Sequence, residues 1–101
     1  MIPYVLTPFA EQDLNDIWDH IAMDNLDAAD RVHRQLESAM RRLAKTPRIG
    51  HFREDLADRR QRFFLVFSYL IVYRPETKPL QIVRVLHAAR DVRELLASGS
   101  E

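Results

Sequence analysis

From residue 8 to 45 the apolar positions recur at helical spacing, and from 61 to 88 they bunch into runs of β-branched and aromatic residues. The chain therefore divides into a helical half and a sheet half. Ahead of the helices, Tyr4-Val5-Leu6 is a short strand ended by Thr7-Pro8. Threonine is a good N-cap, and proline at the first helical position forfeits no needed hydrogen bond. Ala10, Leu14, Ile17, Trp18 and Ile21 then form an apolar stripe, with Glu11, Asp13, Asn15, Asp16 and Asp19 on the opposite face. Trp18 and Phe9 read as core at that spacing. "MDNLDAAD" (23–30) holds a turn and a second cap, Asn25 or Asp27, after which Ala29, Val32, Leu36, Ala39 or Met40, and Leu43 make a second stripe. It stops at Thr46-Pro47, because the residue before a proline is pushed out of the helical region. So short a turn makes the two helices antiparallel.

"PRIGHFREDLAD" (47–58) has no sustained period and reads as a loop. The runs "QRFFLVF", "YLIVYR" and "LQIVRVLHA" follow, the last two separated by the proline-bounded "PETKP" (75–79). Three strands with short joins imply an antiparallel meander. The join at Phe67-Ser68 lacks the Gly or Asn that a tight hairpin usually takes. Asp91 caps a short C-terminal helix, "VRELLA", before a polar tail. The expected fold is α+β in two layers, β-α-α-β-β-β with a short C-terminal helix, its helical hairpin packed on an antiparallel sheet. Residues 1–101 are expected to form one domain.

Composition narrows the function classes. The chain has no cysteine, which excludes disulfides and thiolate metal sites and suits a reducing compartment. No basic leader precedes "MIPYVLTPF" and no apolar run is long enough for a membrane span, so a soluble, cytoplasmic protein is expected. His20, His33 and His51 stand apart without partners at ligand spacing, and neither a P-loop nor GxGxxG occurs. No metal and no cofactor are expected. Net charge is zero, yet residues 1–37 hold eight acids and two bases while 38–101 hold seven acids and thirteen bases. Such segregation gives an acidic helical surface and a basic one able to meet phosphate or an acidic protein.

The densest basic cluster is "RRQR" (59–62), and "RVLHAARD" (84–91) sets a histidine between arginines at the end of the last strand. In a regular strand Ile82, Arg84 and Leu86 point one way and Val83, Val85 and His87 the other, so Arg84 and His87 are expected on different faces unless a bulge intervenes. His87 then reads as a histidine bonded to backbone or to Asp91, and Arg90 as half of a salt bridge.

"YVLTPFAEQDLNDIWDHIA", "DNLDAADRVHRQLESAMRRLAKTPRIGHFREDL", "YLIVYRP" and "IVRVLHAARD" together resemble the ParE branch of the RelE/ParE toxin superfamily, also called plasmid-stabilisation proteins. The resemblance spans nearly the whole chain. It implies the toxin half of a type II toxin–antitoxin pair, neutralised by a small antitoxin with a DNA-binding N-terminus. ParE-like members inhibit DNA gyrase by binding, whereas RelE-like members cleave mRNA on the ribosome. The RelE-like pattern uses lysines in mid-chain and a tyrosine, or a histidine–tyrosine pair, near the C-terminus. Here only Lys45 and Lys78 are lysines, and Ala88 follows His87. The resemblance therefore favours binding over catalysis, with Arg59, Arg60, Arg62, Tyr73, Arg74, His87 and Arg90 as contacts to antitoxin or target. In the alternative, a metal-independent endoribonuclease, Arg62, Arg84, His87 and Arg90 would be catalytic. Direct nucleic-acid contact is expected only in that alternative, since the net charge is zero.

Overall fold

A computed structural model describes residues 3–52 and 60–91. The elements run β1 (Tyr4–Leu6), α1 (Pro8–Ala22), α2 (Leu26–Lys45), a 3-10 turn (Pro47–Ile49), β2 (Arg62–Val66), β3 (Tyr69–Arg74) and β4 (Leu80–His87). Arg59 and the expected C-terminal helix, 92–97, lie outside the described residues.

The caps fall where the side chains can supply them. Thr7 Oγ1 accepts from the Ala10 N–H at 3.1 Å, and Asn25 Oδ1 accepts from Ala28 at 3.0 Å, so Asn25 rather than Asp27 starts α2. Helix α2 ends before Pro47, which opens the 3-10 turn inside what the sequence reads as loop.

Strand order is β1-β4-β3-β2. β2–β3 and β3–β4 are antiparallel, as a meander requires, but β1 joins β4 in parallel, from Tyr4↔Leu80 to Leu6↔Ile82. The sheet is therefore mixed. Its one parallel pair is possible because the whole helical hairpin lies between β1 and the meander and acts as the crossover. The helices cover one face, where Ala10, Leu14, Leu36, Met40 and Leu43 meet Ile71, Tyr73, Leu80, Ile82 and Val85. A second cluster of Phe63, Leu70, Val72 and Leu86 belongs to the other face of the same strands. Each fully buried large aliphatic side chain contributes roughly 1.5–3 kcal/mol. Phe9 is not part of this core: it is 70% exposed, one position off the stripe, with the Arg84 guanidinium 5.8 Å from its ring centre. Trp18 is only partly buried, its Nε1–H directed at Asp30 Oδ1 at 3.4 Å.

Two irregularities shape the sheet. Tyr73 pairs with Ile82 while Val72 pairs with Arg84, which leaves Val83 as the extra residue of a β-bulge. Alternation resets there, so Ile82 and Val85 both enter the helix-covered core and Leu86 the opposite cluster. The second is the β2–β3 hairpin. Val66 pairs with Tyr69 across Phe67-Ser68, and Phe67 takes φ 54°, the left-handed conformation that glycine would adopt without strain.

Candidate functional site

The end of β4 and the flank of α1 enclose a cleft of about 340 Å³, lined by Asp13, Asp16, His20, Tyr69, Arg84, Val85, His87, Arg90 and Asp91. Arg84, His87 and Arg90 thus share one cleft, contrary to the separation expected from strand alternation. The bulge lies upstream of Arg84, not between it and His87. What unites the residues is that β1 stops level with Ile82, so that the Arg84 side chain meets α1 past the end of β1.

Asp13 organises this junction. Its carboxylate accepts from Arg84 Nε at 2.7 Å and Nη2 at 2.9 Å, and Oδ2 also accepts the Val85 N–H at 2.9 Å. The fork-to-carboxylate bond, against opposing desolvation, raises the Arg84 pKa above its usual value and keeps it cationic. His87 stands edge-on to Tyr69, ring centres 5.7 Å apart, and its Nδ1 accepts the Arg90 N–H at 3.1 Å. In the neutral ring the proton is therefore on Nε2, and the basic lone pair is spent on the backbone. Asp91 Oδ2 accepts the His87 N–H at 2.7 Å and Oδ1 accepts Arg90 Nε at 3.1 Å. Burial by itself would raise the Asp91 carboxyl, but these bonds and the adjacent positive charges together hold it below the usual carboxylate range.

Chemically, the groups at the end of β4 are closed in ion pairs and backbone bonds, and His20 on α1 is the lining histidine without a side-chain bond among the described residues. A ribonuclease would need a base with a free lone pair and cations aimed at a phosphate. Here the His87 lone pair is bonded, and Arg84 and Arg90 each hold a carboxylate.

The other sequence candidates lie elsewhere. Arg62 pairs with Tyr73, which pairs with Ile82, whereas His87 pairs with Tyr69, so Arg62 stands at the opposite end of the sheet. Its Nη1 donates to the carbonyls of Gly50 at 2.7 Å and Arg48 at 3.3 Å, and its guanidinium lies 4.2 Å from the centre of the Phe52 ring. Tyr73 is fully buried and so is not a contact residue. Its hydroxyl donates to Pro47 O at 2.6 Å and accepts from Gly50 N at 2.9 Å, and desolvation raises its pKa. Arg74 is partly covered, and Arg60 lies exposed in the turn before β2. The expected catalytic set is thus split between two ends of the molecule. Asp13, which sequence reasoning placed only on an acidic helix face, is the residue that was missed. Its position directly before Leu14 of the apolar stripe, at the edge of the buried face, was the available signal.

Residues 4–92 match the family model described as ParE toxin of type II toxin-antitoxin system, parDE. The chain is 34% identical over 92 residues to proteins called Toxin ParE1 from two Mycobacterium tuberculosis strains, CDC 1551 / Oshkosh and ATCC 25618 / H37Rv, covering 88% of this chain and 92% of each relative. A chain in the solved structure entitled "Chromosomal ParDE TA system from P. aeruginosa" superimposes with a TM-score of 0.69 at 20% identity, covering 86% of this chain and 96% of that one, and so shares the fold. The architecture and the family match agree: the chain belongs to the ParE toxins of type II toxin–antitoxin systems.

Proposed function

We propose that this toxin arrests growth by binding DNA gyrase, without chemistry of its own, and that a cognate antitoxin with a DNA-binding N-terminus neutralises it in the cytoplasm. The observation that carries the binding reading is the closure of the strand-end cleft: Arg84 is held by Asp13, Arg90 by Asp91, and His87 Nδ1 by backbone. What the surface offers instead is apolar. Phe9, Leu65 and Phe67 are more than half exposed, and β2 is the last strand of the sheet, its outer side bonded among described residues only where His51 bridges Phe63. An edge of this kind accepts an added strand or an ordering peptide, which is how a flexible antitoxin segment is expected to dock.

Gyrase supercoiling and translation should be assayed side by side with the purified toxin. Supercoiling should fall at micromolar toxin and recover when antitoxin is added, with mRNA left intact. Untouched supercoiling together with mRNA cut sites on translating ribosomes would establish the endoribonuclease reading instead.

A further inference from the structure

At the opposite end of the sheet from the Arg84 cleft lies a second cleft, of about 570 Å³, between the end of α2, the 3-10 turn and the β3–β4 connection. Its wall carries Lys45, Arg48, Arg62 and Lys78, with Glu76 the one acid among the lining residues and Phe52 the one aromatic. The cationic side chains here differ from those at the Arg84 end. Among the described residues no carboxylate comes within ion-pair range of any of these four, whereas Arg84, Arg90 and Arg41 each hold one. Among the described residues the positive charge of this wall is therefore not closed in ion pairs, and a concave wall focuses its field.

We propose that this cleft binds a nucleotide unit, an anionic phosphate carrying a flat base, presented either free or within a single strand. Two features favour a nucleotide over an acidic peptide. Arginine recognises carboxylates best through a free guanidinium fork. Arg62 has no fork open to solvent, because Nη1 is bound to the Gly50 and Arg48 carbonyls, Nε is buried and Phe52 covers its plane. What remains toward solvent is Arg48 and the pair of flexible lysine point charges, which suit phosphate, beside a ring that is 51% exposed and backed by Arg62. Cations beside an aromatic platform are the recurring means of holding nucleotides without sequence preference. A zero net charge does not argue against this, because the lining of the cleft holds four cations against the single acid Glu76. The inference is independent of the gyrase reading and makes no claim of cleavage.

The test is fluorescence anisotropy of the full-length toxin with a labelled oligothymidylate, competed by ATP and by an oligoglutamate peptide. Micromolar binding is expected, with log K falling against log salt by about 0.7 per phosphate contacted. Replacing both Lys45 and Lys78 by alanine should weaken binding about tenfold or more and flatten the salt slope. Phe52→Ala should weaken it by a similar factor while leaving the slope unchanged, and Phe52→Trp should restore it. Arg41→Ala, on the exposed side of α2, should leave binding as it was. Competition by ATP at or below the oligonucleotide concentration assigns the site to free nucleotides, and weaker competition assigns it to a strand; either supports the proposal. Absence of binding, an equal loss in Arg41→Ala, or stronger competition by oligoglutamate would overturn it. A thermal melt of each variant separates lost binding from lost folding.

Discussion

Tyr73 shows how one atom can hold a loop. Its hydroxyl serves Pro47 and Gly50 together, deep beneath the α2 end, and burial leaves no water to replace either bond. Tyr73→Phe is expected to destabilise the protein by about 1–3 kcal/mol in urea titration. A Cβ on Gly50 would press on the same ring, 2.8 Å from Cε1 and 2.9 Å from Cζ as well as against the hydroxyl. Gly50→Ala should cost about 1–3 kcal/mol, and less in the Tyr73→Phe background, since the two changes share the crowded oxygen. Asp91 makes a pH-dependent contribution. Its carboxyl is more acidic in the fold than in the open chain, so its stabilisation is complete above about pH 4 and is lost as pH falls through the lowered folded value. Asp91→Asn should thus be less stable than the parent at pH 7, and the gap should narrow below about pH 4, measured as urea midpoints. The roles foreseen for His87 and Arg90, a backbone-bonded histidine and a salt-bridged arginine, match their observed bonds. Tyr73 was misjudged because a tyrosine in a strand reads alike whether its hydroxyl reaches solvent or a buried carbonyl.

At the level of elements, nearly every helix and strand was legible, because each carried its own punctuation. Thr7-Pro8 opened α1, Thr46-Pro47 closed α2, and "YLIVYR" coincides with β3. Pairing was less legible. Nothing within Tyr4-Val5-Leu6 says whether it will lie parallel or antiparallel, since that depends on which strand edge the helical hairpin leaves open. The Val83 bulge was equally silent, being a property of two registers and not of one segment. The Phe67-Ser68 join, by contrast, was flagged by the residue it lacked, and the positive φ of Phe67 is the physical counterpart of that absence. Phe67→Gly should relieve the strain and raise stability by about 0.5–1 kcal/mol, read as a higher urea midpoint. Because Phe67 is 59% exposed, the exchange gives up little burial. A stabilised variant that binds antitoxin less well would mean that the strained tip is kept for contact.

For the molecule as a whole, the decisive issue is how charge is arranged, and this was only half visible beforehand. The −6 and +6 halves were countable from the sequence. Which cations would be neutralised by carboxylates was not, since Asp13 and Arg84 are separated by 71 positions and meet only through the fold. That pairing turns the histidine-bearing end into a structural clasp, while among the described residues Lys45, Arg48, Arg62 and Lys78 at the other end hold no carboxylate. It also makes a prediction about toxicity. His87→Ala should keep growth arrest within a few fold of the parent when expressed without antitoxin, whereas an endoribonuclease that uses His87 as its base would lose about 10²–10⁴ in rate.

Strand β4 runs from Leu80 to His87, yet β1 accompanies it only as far as Ile82. Above that point Thr7 Oγ1 donates to Val83 O at 2.6 Å and Asp13 takes the Val85 N–H, so the rest of this border is plugged by side chains. A foreign strand cannot slide in there. The stretch of β4 beyond β1 is thus sealed against zipper-like growth, whether by an antitoxin or by another copy of the chain, whereas β2 offers an edge that side chains do not plug in this way.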